Sequence, residues 1–231
     1  MTIPAAVRRI PRHAWPCLAA VLFLLAVVAG HWNSRTGLTS LVRFGEQFAG
    51  RRIPELSSLP LRTYAGVGYD GQFYSQLAVN PDVTDARVQA ALDNPRYRAR
   101  RMLLPAVIHA LGARHVWLTL QLYILTNTAA WLALGWLLWR RVAPLGWHGT
   151  GIWLACMLSL GALDSVRLSL TDLPSMLLVF LAVETIDAGQ RKSSLAALTA
   201  AVLTRDTTLL AAAAAGPGDL RAGATWRGHL V

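Results

Sequence analysis

Two long apolar runs constrain the fold of this chain more than any other feature of its sequence. The first extends from Trp15 to Trp32, and the second extends from about His115 to Trp139 and is followed by Arg140 and Arg141. A helix rises about 1.5 Å per residue, and the hydrocarbon core of a bilayer is roughly 30 Å thick. Both runs are therefore predicted to be transmembrane helices.

Three shorter apolar runs follow in the C-terminal part of the chain. They are Gly149–Leu163, Leu173–Ile186, and a run from Ser193 to about Ala215 that Arg205 and Asp206 interrupt. Together with the two longer runs they predict an all-α fold, a polytopic transmembrane helical bundle with five spans. In this reading residues 15–32 form the first span and residues 115–215 form spans two to five.

The composition also favours a membrane protein. Of the 231 residues, 54% are hydrophobic and only 15% are charged, which is too little charge for the surface of a soluble domain of this size. The formal net charge of +10 comes almost wholly from arginine. It indicates contact with lipid head groups or a phosphorylated lipid, or it serves as a topological signal. No soluble basic domain points to nucleic acid, and Cys17 and Cys156 lack the spacing of a metal site or disulfide framework.

Charge bias sets the expected orientation. Residues 1–14 form a basic leader that we predict to be cytoplasmic, and the tryptophans that flank the first span favour a signal anchor over a cleaved signal peptide. The arginines after the second span agree with that orientation. The segment 33–114 and the turn between the third and fourth spans are then extracytoplasmic. Asp70, Asp164, Arg167 and Asp172 would share that side of a multi-pass protein of the cytoplasmic (inner) membrane.

The segment 33–114 is predicted to contain short helices at the membrane interface. Gly37–Gly50 places apolar residues at helical spacing, and further short helices are predicted directly after Asp70 and over Asp85–Leu92. Arg98 and Arg101 then precede another apolar stretch. They are suited either to lipid head groups in general or to a bidentate grip on a phosphate.

Asp70 has two readings in its local sequence, GYDGQFYSQLAVNP. An aspartate directly before a short helix is most often an N-cap that accepts backbone N–H groups. A carboxylate at the membrane surface can also act as a general base that takes a proton from an acceptor hydroxyl. The two roles are compatible, and the local residues do not choose between them.

Several other charges lie in or beside the predicted spans, where an unpaired charge is costly. Asp164 and Arg167 have the i,i+3 spacing of a helical ion pair, and Asp172 before Leu173-Pro174 has the form of an N-cap. Arg205 and Asp206 lie well inside the fifth predicted span, so we expect them to face the bundle interior. Glu184 and Asp187 fall near the cytoplasmic end and are given no catalytic role.

The block GYDGQFYSQLAVNP, followed by DNPRYRARRMLLP, LTDLPSMLLVFLAVE and LTRDTTLL, resembles a family of bacterial membrane proteins implicated in cell-surface glycopolymer formation. That family is similar to the GT-C glycosyltransferases, which transfer a sugar from a polyprenyl-phosphate carrier outside the cytoplasmic membrane. The resemblance implies a GT-C-like N-terminal module whose partners are the bilayer, a lipid-linked sugar donor and a glycan or lipid acceptor. It predicts neither for nor against a divalent metal.

The resemblance also implies roles for individual residues. Asp70 would be the catalytic base, and Arg98 and Arg101 would face the lipid phosphate. Arg205 would be a second phosphate contact or a structural ion-pair partner. The other candidates for substrate binding are two acids of the outer cavity, Asp164 and Asp172. Three residues near Asp70 in the sequence complete the set, namely Tyr69, Gln72 and Tyr74.

Two features depart from the family pattern. Asp206 stands where the family usually has glutamate, and the chain has fewer predicted spans than family members commonly have. Residues 216–231 lack an apolar run and helical periodicity, so we expect an irregular tail that is out of frame after a truncation. The alternative function is that of a non-catalytic polytopic membrane protein, either a transporter fragment or an assembly subunit for surface polysaccharide.

Overall fold

The computed structural model describes residues 10–214, and this part of the chain is mostly helical. The expectation for residues 216–231, and that for most of the basic leader, fall outside the described residues. Two short strands, β1 (Phe44–Gly45) and β2 (Thr63–Tyr64), pair in parallel. The helices are α1 (Trp15–Gly30), α2 (Pro54–Ser57), α3 (Gly71–Val79), α4 (Ala86–Ala91), α5 (Pro95–Arg98), α6 (Leu103–Leu111), α7 (Val116–Val142), α8 (Trp147–Met157), α9 (Leu160–Arg167), α10 (Asp172–Asp187), α11 (Arg191–Thr204) and α12 (Leu209–Ala214).

Two helical stretches of the described chain are long and apolar enough to cross a membrane by themselves. They are Arg12–Gly30, which contains α1, and Val116–Leu145, which contains α7. Both coincide with the two long runs of the sequence. The predicted third span is divided between α8 and α9, which meet at an angle of 47°. If that bent pair counts as one span, the number of candidate crossings is three.

The bend between α8 and α9 has a local cause. Ser159 has extended backbone angles, and its hydroxyl accepts a hydrogen bond from the backbone N–H of Ala162 at 3.4 Å. A serine in this conformation is an N-cap that begins a new helix. The predicted third span, Gly149–Leu163, is therefore bent at Ser159 and is not a single straight helix.

Helices α10 and α11 pack against each other, and α10 also packs on α7. They contain 16 and 14 residues, so at about 1.5 Å per residue they are shorter than a typical span. The predicted fifth span was expected to continue past Arg205. Instead α11 ends at Thr204, because the backbone of Arg205 is extended (φ −152°, ψ 115°). Arg205 and Asp206 thus lie at a helix end and not in the middle of a span.

The segment between α1 and α7 folds against the helices as an ordered unit. The predicted interfacial helix over Gly37–Gly50 is absent: this stretch consists of two 3₁₀ turns, Thr39–Leu41 and Glu46–Arg51, on either side of β1. Positive φ angles at Gly37 and Arg43 interrupt any longer helix there. Of the apolar residues that suggested an amphipathic helix, Leu38, Leu41 and Val42 are buried in the protein core and Phe48 packs against it.

Helix α3 forms the centre of this segment, and all of its residues are buried. Its start directly after Asp70 confirms the helix predicted there. Helix α4 confirms the helix predicted over Asp85–Leu92. Two glutamines on α3 hold the surrounding backbone. The N–H of Gly45 donates to Gln72 Oε1 at 3.0 Å, and the N–H of Ile53 donates to Gln76 Oε1 at 3.0 Å. Gln72 Nε2 also donates to the carbonyl of Val67 at 2.7 Å.

The turn after α9 fixes the start of α3. Tyr123 on α7 donates its hydroxyl to the carbonyl of Ser169 at 2.8 Å, and the Ser169 hydroxyl donates to the carbonyl of Leu41 at 3.1 Å. A Cβ atom at position 71 would lie 2.3 Å from the carbonyl oxygen of Leu168, so only glycine fits there. The turn and the start of α3 are therefore in direct contact, and Asp70 lies at that contact.

This contact yields a test of the fold. Gly71→Ala should lower the free energy of unfolding by about 1 to 3 kcal/mol, because the added methyl group has to displace backbone. Gly50→Ala is the matched control, since nothing lies within 4 Å of its added Cβ. Thermal unfolding in detergent, followed by tryptophan fluorescence, measures both variants. Equal melting temperatures for the two variants would contradict the close approach at Gly71.

Candidate functional site

The carboxylate of Asp70 points away from the helix that it precedes. Asp70 has helical backbone angles (φ −53°, ψ −36°), and its side chain makes no capping hydrogen bond. An N-cap needs extended angles to turn its oxygen back onto the first N–H groups of the helix. The N-cap interpretation of Asp70 is therefore wrong. Instead, Asp70 Oδ1 accepts a hydrogen bond from Arg98 Nη2 at 2.8 Å.

Arg98 is buried and is held by all three of its nitrogen atoms. Its Nε and Nη2 donate to the two carboxylate oxygens of Asp93 at 2.8 and 2.7 Å. Nη2 also donates to Asp70, and Nη1 donates to the hydroxyl of Tyr74 at 3.3 Å. Arg98 itself is only 3% exposed, whereas the side chain of Asp70 is 44% exposed. The buried guanidinium of Arg98 thus binds two carboxylates that are partly exposed to solvent.

Aromatic rings surround this guanidinium. The Arg98 Cζ atom lies 4.8 Å from the ring centroid of Phe73, 5.1 Å from that of Tyr74 and 5.4 Å from that of Tyr97. Each distance is within the range of a cation–π interaction. The aromatic residues that follow Asp70 in the sequence therefore pack around the partner of Asp70, which explains their place in the motif.

A second set of ion pairs continues the cluster. Arg101 donates to Asp206 Oδ1 from Nη2 at 2.7 Å and from Nε at 2.9 Å. It also donates to the Tyr97 hydroxyl, and its Cζ lies 4.5 Å from the Tyr97 ring centroid. Arg205 pairs with Asp172 through Nη1. The consecutive residues Arg205 and Asp206 therefore connect the start of α10 to Arg101.

Asp172 is the first residue of α10, and the N-cap position belongs to Thr171, whose side chain makes no capping hydrogen bond. The N-cap interpretation of Asp172 is therefore wrong as well. Asp172 also interacts electrostatically with Arg101 and Asp70. The two sets of ion pairs thus form one cluster, which we call the ion-pair cluster. It consists of Asp70, Asp93, Arg98, Arg101, Asp172, Arg205 and Asp206.

Three further predicted residues, Asp164, Tyr69 and Gln72, take no part in the ion pairs of this cluster. Asp164 forms the expected pair with Arg167 on α9, with a long Nη1–Oδ1 distance of 3.9 Å. Tyr69 is 46% exposed beside Asp70, whereas Gln72 is buried and holds backbone. Asp93 and Tyr97 were absent from the predicted site. Their signal was present in the DNPRYR motif, which places both within reach of an arginine.

The charges within the ion-pair cluster shift one another's pKa values. Burial alone would lower the pKa of Arg98, but its hydrogen bonds to Asp93, Asp70 and Tyr74 outweigh burial and raise that pKa. Burial would raise the pKa of Asp93, but the hydrogen bonds and charge of Arg98 lower it below the ordinary value. Arg98 therefore remains positively charged and Asp93 negatively charged at neutral pH.

An apolar groove meets the cluster at Asp172. It has a volume of about 650 Å³ and lies among α7, α8, α9 and α10. Its lining is almost entirely apolar, and among residues 10–214 Asp172 is the only charged residue that lines it. Its apolar lining includes Leu134 and Leu138 of α7 and Leu173, Met176 and Phe180 of α10. A long apolar ligand in this groove would have its end next to Asp172 and Arg205.

The opposite end of the helix bundle holds a separate charge cluster. Arg141 on α7 donates to Glu184 Oε1 and to Asp187 Oδ2, each at 2.5 Å. These contacts connect the C-terminal ends of α7 and α10. Within residues 10–214, no group of three His, Cys, Asp or Glu side chains is arranged to hold a metal ion.

Acid should weaken the Asp93–Arg98 pair in a defined direction. Because the pKa of Asp93 lies below 3.8 in the folded protein, the pair stabilises fully above pH 3.8 and loses its effect as the pH falls through the lowered value. Between about pH 4 and pH 2 the melting temperature of the wild type should therefore fall more than that of Asp93→Asn.

Thermal unfolding across this pH range measures the difference. Asp164→Asn removes a partly exposed carboxylate from a long, weak pair, so this variant should keep the acid dependence of the wild type. An equal loss of melting temperature in the wild type and Asp93→Asn would show that the Asp93–Arg98 pair does not stabilise the fold.

Comparison with known proteins found no family model, no curated protein and no solved structure that matches this chain.

Proposed function

We propose that this chain is a membrane glycosyltransferase of the GT-C type, or the N-terminal part of one. It would transfer a sugar from a polyprenyl-phosphate-linked donor to a cell-surface glycan or lipid acceptor, on the extracytoplasmic side of the cytoplasmic membrane. The observation that carries the proposal is the setting of Asp70. Its exposed carboxylate belongs to the same ion-pair cluster as Arg205 and Asp172, at the end of an apolar groove.

Asp70 is suited to act as the general base. Arg98 binds Oδ1, while Oδ2 has no hydrogen-bond partner among residues 10–214 and the side chain is 44% exposed. Oδ2 can therefore accept the proton of an acceptor hydroxyl as the hydroxyl oxygen attacks the anomeric carbon of the sugar. The bond between that carbon and the phosphate oxygen breaks, and its electron pair leaves with the lipid phosphate.

The departing phosphate requires a positive charge nearby. Among the three arginines of the cluster, Arg98 is fully engaged and Arg101 is held by Asp206 and Tyr97. Arg205 is the most exposed of the three, at 29% of its side chain, and its Nη2 has no partner among the described residues. Arg205 is therefore the arginine best placed to contact the phosphate, with Arg101 behind it.

The groove supports a lipid-linked donor over a free sugar nucleotide. An isoprenoid chain is long and apolar, and the groove offers about 650 Å³ of apolar volume that ends at Asp172. A chain in the groove would bring its phosphate to the Asp172–Arg205 pair. The bilayer, the lipid-linked donor and the acceptor are thus the partners that this proposal requires.

Substitution of Asp70 tests the proposed reaction. Asp70→Asn in the intact gene should reduce surface glycan by about a hundredfold or more, because proton transfer by a placed base contributes roughly that factor. Asp82→Asn is the matched control and should leave the glycan level unchanged, since Asp82 is exposed and follows the C-terminal end of α3, whereas Asp70 precedes its start. Surface glycan is quantified by lectin binding, with immunoblots to equalise protein levels. Normal glycan in Asp70→Asn at a normal protein level would favour a non-catalytic membrane protein.

A further inference from the structure

Arg98 is shared unequally between two carboxylates. Asp93 engages it with both oxygens, through Nε at 2.8 Å and through Nη2 at 2.7 Å, which is the bidentate geometry that guanidinium groups favour. Asp70 receives a single hydrogen bond, from the same Nη2 at 2.8 Å. Asp93 therefore occupies the side of the guanidinium that would otherwise be available for a bidentate pair with Asp70.

The position of Asp93 is fixed by its local structure. It directly precedes α5, which begins with the N-cap Asn94 and with Pro95 in the first turn. The backbone N–H of Asn94 donates to Asp93 Oδ1 at 2.8 Å, so the orientation of this carboxylate does not depend on Arg98 alone. Arg98 lies one turn further along the same short stretch and is enclosed by aromatic rings. The Asp93–Arg98 pair thus forms within one short stretch of chain, and its Arg98 contacts Asp70 directly before α3.

We infer that Asp93 is a positioning residue, which keeps Arg98 from forming a bidentate pair with Asp70 and so leaves Oδ2 of Asp70 free to accept a proton. The inference rests on the proposed role of Asp70 as the base. Without Asp93, the buried guanidinium would retain one nearby carboxylate, that of Asp70. Nε and Nη2 of Arg98 would then both donate to Asp70, and Oδ2 of Asp70 would no longer be free to accept a proton.

Chemical labelling of carboxylates tests this inference without a substrate. The purified full chain in detergent is treated with a water-soluble carbodiimide and glycine ethyl ester at one pH, and modified residues are quantified by mass spectrometry. No arginine or lysine lies between Arg62 and Arg87, so one tryptic peptide contains both Asp70 and the exposed Asp82. The ratio of label on Asp70 to label on Asp82 is then an internal measure of the free Asp70 carboxylate.

In Asp93→Asn this ratio should fall about tenfold, since an additional hydrogen bond between charged groups is worth roughly that factor. Asp93→Glu, which can still engage Arg98 with two oxygens, should keep the ratio of the wild type. Unfolding of a variant would raise the label on Asp70, so misfolding cannot imitate the expected loss. An unchanged or higher ratio in folded Asp93→Asn would overturn the positioning role.

Surface glycan, measured in the same variants, separates this inference from the proposed function. Asp93→Asn should lose glycan and Asp93→Glu should retain it if Asp70 is the base. The labelling result tests how Asp93 acts on Asp70 whatever the reaction is. If the label ratio falls as expected while Asp70→Asn keeps normal glycan, the proposed function fails and the control of Asp70 by Asp93 stands.

Discussion

The guanidinium of Arg98 is buried among three aromatic rings and meets two carboxylates at the surface, and the arrangement around α3 depends on it. A buried charge without partners is strongly destabilising, so Arg98 requires Asp93 and Asp70 on its exposed side. This requirement fixes the short helix α5 against α3. It also determines which way the Asp70 carboxylate points, because Asp70 turns toward Arg98 and not toward the N–H groups of its own helix.

The same principle joins distant parts of the chain. Arg101 is as buried as Arg98, and its carboxylate partner, Asp206, comes from the break after α11. Arg205, next in the chain to Asp206, pairs with Asp172 at the start of α10. Two neighbouring residues of opposite charge therefore attach the α10–α11 pair to the segment that carries Asp70. The cluster that results is open to solvent at Asp70 and borders an apolar groove at Asp172, which is the combination that a reaction on a lipid-linked sugar requires.

Periodicity and length were sufficient to predict the two long helices and the helix after Asp70, because these features are local. The motifs that carry the family resemblance also contained most residues of the ion-pair cluster, including Asp70, Arg98, Arg101 and Arg205. The local sequence could not reveal how they pair. The sequence predicts that an aspartate before a helix is an N-cap. It does not show that a buried arginine binds the carboxylate instead. Likewise, Gly37–Gly50 has helical spacing, yet Leu38, Leu41 and Val42 are buried in the protein core.

The function proposed for the cluster requires that Asp70 face the outer side of the cytoplasmic membrane, and the accessibility of Tyr69 measures this directly. Tyr69 is 46% exposed next to Asp70, so a cysteine at this position, in a background without Cys17 and Cys156, would be accessible to a membrane-impermeant maleimide. Lys192→Cys, in the first turn of α11, is the control for the opposite side. In cells whose outer envelope is opened but whose cytoplasmic membrane is intact, we expect the maleimide to label position 69. Position 192 should be labelled only after the cytoplasmic membrane is permeabilised. Labelling of position 192 but not of position 69 in the intact cells would contradict an extracytoplasmic transfer site.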